Sequence, residues 1–257
     1  MGPRAYQVLS RTPRFRSRYQ DSQFCLLHPS PRSRPQTPVI ARHYSHSQYN
    51  GQPLPPSSQV GSSLGKGYII DEVLYERPAA GRVWRVYRAK HEEKQFILKD
   101  ILPGDFQYIL DLQKHVQHSP HVRTSVESIP ERRMLVFPYL EKRLLYVDTT
   151  VLPPAARKAI IRDALVGLAH LHDKNIIHTD IKPTNIMMDS FKLQNGELGW
   201  SNFQITDLES AVLLPLNVEG LTDRLSGNHF WRSPEAWARG VQNTPSDVYS
   251  FAIVTRT

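Results

Sequence analysis

The sequence of 257 residues contains a single cysteine, Cys25, which excludes an internal disulfide and fits a reducing compartment. It also lacks any uninterrupted apolar run near the roughly 18 residues that a membrane-spanning helix needs, so we expect no membrane span. Hydrophobic residues make up 40% of the chain, which is enough for a large folded core. These features predict a soluble protein that works inside the cell.

Lysine is absent from residues 1–65, and acids are almost absent. This segment holds eight arginines and one acid, Asp21, so it carries seven of the eight net positive charges. The remainder is nearly neutral, which argues against nucleic-acid binding by the folded domain. Nine of the 20 prolines also lie in residues 1–65 and work against long helices and central strands. We therefore expect residues 1–65 to form a disordered tail.

The Arg-rich, Ser-rich and acid-poor composition of this tail is also typical of a mitochondrial transit peptide. The stretch Arg42-His43-Tyr44-Ser45 resembles the processing site of such leaders. A basic disordered tail explains the same composition, because the prolines work against the amphipathic helix of an import signal. The sequence leaves a mitochondrial and a cytoplasmic or nuclear localisation open.

A group of polar residues lies at fixed offsets between two apolar runs in residues 176–189. His178, Asp180, Lys182 and Asn185 give the pattern H-x-D-x-K-x-x-N, which resembles the catalytic loop of protein kinases. The resemblance implies that Asp180 meets the substrate hydroxyl, that Lys182 faces the transferred phosphoryl group, and that Asn185 holds Mg²⁺. The alternative is an ordinary turn, in which the same residue types are common.

Alternation of apolar and polar residues in 68–75, 83–89 and 95–99 predicts three antiparallel strands. This arrangement resembles the N-lobe of protein kinases, and the resemblance implies that Lys99 binds nucleotide phosphates and that Val86 contacts ATP. Of the three glycines that the family uses to cover the phosphates, only Gly81 is present. Gly81 is therefore the remaining candidate of that turn.

Residues 105–118 have apolar positions at helical spacing, and residues 134–137 form a short apolar run. In the kinase resemblance they correspond to the N-lobe helix and to the strand before the hinge. The glutamate that braces the strand lysine in the family is replaced by Ile109, which leaves Asp111 as the nearest acid on the helix. The resemblance places the base of ATP against Pro138, Tyr139 and Leu140 at the hinge, with Met187 as a further contact.

The run 203–210 predicts a strand that leads into an acid, Asp207. Asp207 occupies the position of the second metal-binding aspartate of the family, where D-F-G is replaced by Asp207-Leu208-Glu209. Further on, Ser233-Pro234-Glu235 is similar to the end of the kinase activation segment. The stretch 246–252 is similar to the following helix, whose Asp247 would accept backbone N–H groups of the catalytic loop. The chain ends inside this helix, and we expect a truncated C-lobe.

The amphipathic pattern of residues 154–172 predicts a long helix with Pro154 at its start. Together these features resemble a protein kinase of the Ser/Thr type over residues 66–257, with an α+β, bilobal fold. The N-lobe is expected at 66–137, the hinge at 138–141 and a partial, helical C-lobe at 142–257. The sequence His178-Thr179-Asp180 is similar to the SR-protein kinases and their fungal relatives.

The resemblance implies transfer of the γ-phosphate of ATP to a protein hydroxyl, with ATP and Mg²⁺ as cofactors, a protein substrate as partner and a monomeric state. The alternative is a pseudokinase or kinase-like module that acts by binding another protein. The incomplete phosphate turn, the missing helix glutamate and the early end of the chain favour this alternative, and the catalytic loop favours the enzyme.

Overall fold

The computed structural model describes residues 52–79 and 82–256. Most of the expected tail, the possible transit peptide and Gly81 lie outside the described residues. Within them, a mainly β part is followed by a part that contains the long helix, and both belong to one compact unit.

A six-stranded antiparallel sheet forms the first part. Its spatial order is β1 (Gln59–Gly61), β2 (Gly67–Ala79), β3 (Arg82–His91), β4 (Lys94–Asp100), β6 (Met134–Pro138) and β5 (Glu127–Ile129). Strands β2, β3 and β4 are the predicted meander, because each pairs with the next in the antiparallel sense. The register places Val86 of β3 directly opposite Lys99 of β4.

The expected boundary between tail and domain at residue 65 is corrected by strand β1. Gln59–Gly61 pairs with the start of β2, and the side chain of Val60 is only 4% exposed. The dense prolines of this region end at Pro56, so they leave room for a short edge strand, which a composition averaged over 65 residues did not reveal. The ordered domain therefore begins before residue 66.

Helix α1 (Phe106–Lys114) packs on this sheet through Phe106 and Ile109, which lie with Ile101 and Leu135 in one buried cluster. It is shorter than the 105–118 helix predicted from the sequence. Residues beyond Lys114 form turns instead, and the backbone N–H groups of His115 and Val116 donate to carbonyls three residues back. Such bonds tighten and end a helix.

The second part is organised around helix α2 (Pro154–His172), whose bounds agree with the sequence prediction. Proline fits the first turn of α2 because a backbone N–H at this position, which proline lacks, would have no partner within the helix. The buried stripe of α2 packs against the strands that carry the catalytic loop. The residues of the stripe are Ile160, Ala164, Gly167, Leu168 and Leu171.

Short antiparallel pairs hold the loops of this second part. The strands β8 (Ile176–Ile177) and β11 (Val212–Leu213) form one pair, while β7 (Lys142–Arg143), β9 (Ile186–Lys192) and β10 (Leu198–Ile205) form a three-stranded sheet. Helices α3 (Pro234–Trp237) and α4 (Thr244–Val254) follow.

The observed architecture confirms the predicted α+β class with an antiparallel N-lobe. Among residues 52–79 and 82–256, no helix combines the length and apolarity required to cross a membrane.

Candidate active site

The loop between β8 and β9 carries the predicted catalytic residues, and Asp247 of helix α4 holds its backbone. The two carboxylate oxygens of Asp247 accept the N–H groups of His178 and Thr179 at 2.7 and 2.9 Å. The ring of His172 at the end of α2 contacts the same carboxylate at 3.0 Å. Asp247 is only 2% exposed, and its role as the backbone acceptor is confirmed.

The ring of His178 fixes the course of the loop from inside. Its Nδ1 accepts the backbone N–H of Asp180 at 3.2 Å, and its Nε2 donates to the carbonyl of Thr206 at 3.0 Å. His178 is fully buried, so both ring nitrogens need partners. The ring thus ties the catalytic loop to the segment that carries Asp207.

Asp180, Lys182 and Asn185 meet at one carboxylate. Oδ2 of Asp180 lies 2.5 Å from Nζ of Lys182 and accepts Nδ2 of Asn185 at 3.2 Å. The same amide nitrogen donates to the carbonyl of Asp180 at 2.9 Å. The other oxygen, Oδ1 of Asp180, is buried and has no hydrogen-bond partner. The protein itself therefore leaves one oxygen of the Asp180 carboxylate without a hydrogen-bond partner.

Lys99 reaches across from strand β4 to Asp207. Its Nζ lies 2.9 Å from Oδ1 of Asp207 and 2.5 Å from Oε1 of Glu209. Burial raises the pKa of the Asp207 carboxyl, but Lys99 and Lys182 lower it more, and the result is about 2. Burial and the nearby Asp207 raise the pKa of Glu209, against the opposing effect of Lys99. Lys99 is therefore shared by two carboxylates of unequal acidity.

The sequence predicted a strand over residues 203–210, but Asp207 lies beyond the end of this strand. Strand β10 ends at Ile205, and Asp207 has left-handed backbone angles, with φ of 70° and ψ of 62°. The buried side chain of Leu208 anchors the 3-10 turn that follows. Before it, the N–H of Thr206 donates to the carbonyl of Asn185 at 2.9 Å. These contacts bring the segments of Asn185 and Asp207 side by side.

Asn185 and Asp207 could hold Mg²⁺ together with a nucleotide. The amide nitrogen of Asn185 is committed to Asp180, so its oxygen is the atom left to bind a cation. Carboxylate and amide oxygens suit this ion, which is usually held by one or two carboxylates plus substrate phosphates. No cluster of three His, Cys, Asp or Glu side chains able to hold a metal occurs in the described part of the chain. A metal here would thus depend on phosphate oxygens.

Glu209 is the site residue that the sequence analysis missed. Asp111, considered there as the acid nearest to Lys99, instead contacts Lys114 and Gln107 on its own exposed helix face. Glu209 replaces the glycine of the family pattern, and its carboxylate takes the position beside Lys99. A glutamate two residues after the metal-site aspartate was the signal available in the sequence.

The predicted nucleotide contacts are spread over strands β3 and β4, the hinge and strand β9, while Gly81 lies outside the described residues. Strand β6 ends at Pro138, and the N–H of Tyr139 donates to the carbonyl of Gln95 in β4 at 3.3 Å. Leu140 and Met187 are 2% and 9% exposed. Their roles toward ATP remain predictions.

A second residue missed by the sequence analysis, Arg123, contacts this hinge. Its Nε donates to the carbonyl of Pro138 at 3.0 Å, and its Nη2 donates to the same oxygen. The guanidinium carbon lies 5.2 Å from the centroid of the Phe137 ring. The hinge carbonyl is thus already hydrogen-bonded within the protein.

Comparison with known proteins agrees with this geometry. A family model described as the protein kinase domain matches residues 80–257, well over half of the chain. The dual specificity protein kinase pyk3 of Dictyostelium discoideum is 28% identical over 201 residues, which cover 72% of this chain and 14% of that protein. The receptor-interacting serine/threonine-protein kinase 1 of Homo sapiens is 31% identical over 153 residues, covering 56% of this chain and 23% of that protein.

A third relative, the probable serine/threonine-protein kinase PBL26 of Arabidopsis thaliana, is 29% identical over 194 residues, which cover 68% of this chain and 45% of that protein. The chain spans less than half the length of each of these relatives. The match to the family model, together with the Asp180, Asn185 and Asp207 arrangement, shows that the chain belongs to the protein kinase domain family.

Proposed function

We propose that this chain transfers the γ-phosphoryl group of ATP to serine or threonine hydroxyls of a protein substrate. The observation that carries the proposal is the Asp180 carboxylate. One of its oxygens is held by Lys182 and Asn185, while the other is buried without a partner. A buried acceptor without a hydrogen bond is costly unless a ligand completes it. A substrate hydroxyl would donate to this oxygen and be oriented for attack.

The remaining residues supply charge around the phosphates. Lys99 and Lys182 are the cations closest to Asp207 and Asp180, and each would lower the energy of the negative charge that develops on the transferred group. Mg²⁺ would bind between Asn185, Asp207 and the phosphates. The Ser/Thr preference rests on Lys182 two residues after Asp180 and on two relatives named as serine/threonine kinases.

The test measures phosphate transfer from labelled ATP with Mg²⁺ to a mixed pool of Ser-, Thr- and Tyr-containing peptides. Asp180→Asn keeps the shape of the side chain but removes the carboxylate, so we expect the rate to fall about 10²–10⁴-fold. Asp173→Asn, at an exposed position, is the control and should leave the rate unchanged. Equal rates for wild type and Asp180→Asn, or label on tyrosine alone, would contradict the proposal.

A second function, that of a kinase-like module which binds a protein partner, is favoured by the ion pairs at Lys99 and by Arg123 on the hinge carbonyl. The ion pairs occupy the Lys99 amine, and Arg123 occupies the Pro138 carbonyl; a bound nucleotide would need both groups. Melting curves with millimolar ATP and Mg²⁺ separate the two functions, since a ligand that binds the folded state raises the melting temperature. No shift for wild type, and no difference between wild type and Asp207→Asn, would favour the module.

A further inference from the structure

Arg77 of strand β2 lies on the same face of the six-stranded sheet as Lys99. Val86 of β3 pairs directly with Lys99, and Trp84, two residues earlier in β3, pairs directly with Arg77. Directly paired residues, and residues two apart in one strand, project from the same face of a sheet. The side chain of Arg77 therefore projects from the face that carries the proposed phosphate-binding lysine.

The charge of Arg77 acts on the ion pairs around that lysine. Burial and the nearby Asp207 raise the pKa of the Glu209 carboxyl, while Lys99 and Arg77 lower it. The amine of Lys99 lies 2.5 Å from Glu209 and 2.9 Å from Asp207. Arg77 is exposed, so it adds a positive charge that a ligand can reach from solvent.

Glu209 makes such a second cation important for binding a nucleotide. Its carboxylate places a negative charge beside Lys99, and the phosphates of ATP are themselves strongly negative. Like charges at close range repel each other. Lys99 offsets this repulsion only in part, because it already pairs with two carboxylates. A guanidinium on the same face of the sheet supplies further attraction for phosphate.

Arg77 also provides hydrogen-bond donors in a hairpin that has lost most of its glycines. Of the three glycines that the kinase resemblance places over the phosphates, the sequence keeps only Gly81. A guanidinium carries five N–H donors in a planar arrangement that matches the oxygens of a phosphate group. One arginine side chain can therefore replace donors that the backbone no longer offers.

We propose that Arg77 binds the phosphates of ATP together with Lys99. This inference rests on the proposed kinase function and adds a residue to its nucleotide site. It predicts that the contribution of Arg77 depends on the phosphates of the ligand. Adenosine has the base and the sugar of ATP but no phosphate, so the two compounds form a matched pair of probes.

The experiment measures the dissociation constants of Mg-ATP and adenosine for the full chain by titration calorimetry. Arg77→Gln removes the charge, so it should weaken Mg-ATP binding about tenfold, as the loss of one charge-assisted hydrogen bond implies, and leave adenosine binding unchanged. Arg77→Lys keeps the charge and should lose less affinity. Lys94→Gln, at an exposed position at the start of β4, removes one positive charge elsewhere and should bind both ligands as wild type does.

Chemical modification of wild type gives a second measurement that does not require a variant to fold. Phenylglyoxal reacts with accessible guanidinium groups, and mass spectrometry of the digested protein reports the modification of each arginine. Mg-ATP at about ten times its dissociation constant should slow the modification of Arg77 about tenfold, because few sites are then free. Adenosine should give no protection, and the exposed Arg239 should react equally in all samples.

The outcomes separate this inference from the proposed function. Equal affinities of wild type and Arg77→Gln for Mg-ATP, an equal loss for Mg-ATP and adenosine, or modification of Arg77 that Mg-ATP does not slow would each overturn the role of Arg77. In these cases Mg-ATP still binds to wild type, and the proposed function stands. Absence of Mg-ATP binding to wild type overturns both.

Discussion

Lys99 is shared by Asp207 and Glu209, and this sharing departs from the family pattern in which a helix glutamate braces the lysine. Helix α1 offers Ile109, which is buried in the sheet contact, and Asp111, which faces Lys114. Glu209, in the 3-10 turn that follows Asp207, pairs with Lys99 instead. The brace of the lysine has thus moved from the N-lobe helix to the segment that carries Asp207.

Substitution of Glu209 tests this brace. Glu209→Gln removes the charge that holds Lys99 at 2.5 Å, so Lys99 should be held only by Asp207, which is the proposed Mg²⁺ ligand. We expect the rate of phosphate transfer at low ATP to fall about 3- to 10-fold, in line with a partly exposed ion pair. Asp111→Asn is the matched control and should have no effect. An equal loss in both variants would show that Glu209 is not a specific brace.

Asp100 at the end of β4 predicts a pH effect on stability. Burial raises the pKa of its carboxyl from 3.8 to about 6, although the N–H of Arg85 donates to it. A raised pKa in the folded state means that the protonated form stabilises the fold, and this contribution is lost as pH rises from about 4 through 6. Asp100→Asn resembles the protonated acid and should not show the loss.

The measurement is urea unfolding of wild type and Asp100→Asn at several values of pH from 4 to 7. The free energy of unfolding of the variant relative to wild type should increase with pH, by at most about 3 kcal/mol over this range. Asp105→Asn, at an exposed position, controls for the loss of one negative charge. Parallel pH profiles for wild type and Asp100→Asn would contradict the raised pKa of Asp100.

At the scale of elements, local patterns predicted most of the structure. Alternation gave β2, β3 and β4, and the apolar stripe with Pro154 gave both bounds of α2. The edge strand β1 was missed because three residues next to a proline-rich stretch carry little periodicity. The end of α1 was missed because its apolar spacing continues into residues that form turns.

Gly167 in helix α2 yields a prediction opposite to intrinsic helix propensity. Alanine is normally favoured over glycine inside a helix by about 1 kcal/mol. A Cβ at Gly167, however, would lie 2.4 Å from the backbone carbonyl oxygen of His121, which cannot move as a flexible side chain can. Gly167→Ala should therefore destabilise the protein by about 1–3 kcal/mol. Urea unfolding checks this, with the exposed Lys158→Ala as a near-neutral control; a more stable Gly167→Ala would contradict the packing argument.

At the scale of the whole molecule, the site depends on contacts between residues far apart in sequence. The motif spacing identified Asp180, Lys182, Asn185 and Asp207 as candidates, and the fold brings their segments together. Sequence spacing could not reveal that Glu209 meets Lys99 or that Arg123 meets Pro138, because those contacts depend on how sheet, hinge and metal segment pack. Arg123 is half-buried and belongs to no motif, so no sequence pattern indicated its contact with the hinge.

Asp247 connects helix α4 to the catalytic loop, so it should affect both stability and activity. In Asp247→Asn one of the two acceptor oxygens becomes a donor, which faces the backbone N–H of His178 or Thr179. We expect a loss of about 1–3 kcal/mol in the free energy of unfolding and a larger fall in the rate of phosphate transfer than the loss of folded protein explains. Asp173→Asn serves as the exposed control. Full activity of folded Asp247→Asn would contradict this coupling.

Thr179 shows what this connection means for the working protein. It is β-branched, yet its backbone φ is 66°, a conformation that costs such residues about 1–3 kcal/mol. Its N–H is held by Asp247, and its hydroxyl donates to the carbonyl of Ser210 at 2.8 Å. When α4 frays on warming, the loop is free to relax and Asp180 loses its orientation. The protein would then lose activity at temperatures where its six-stranded sheet and helix α2 are still folded.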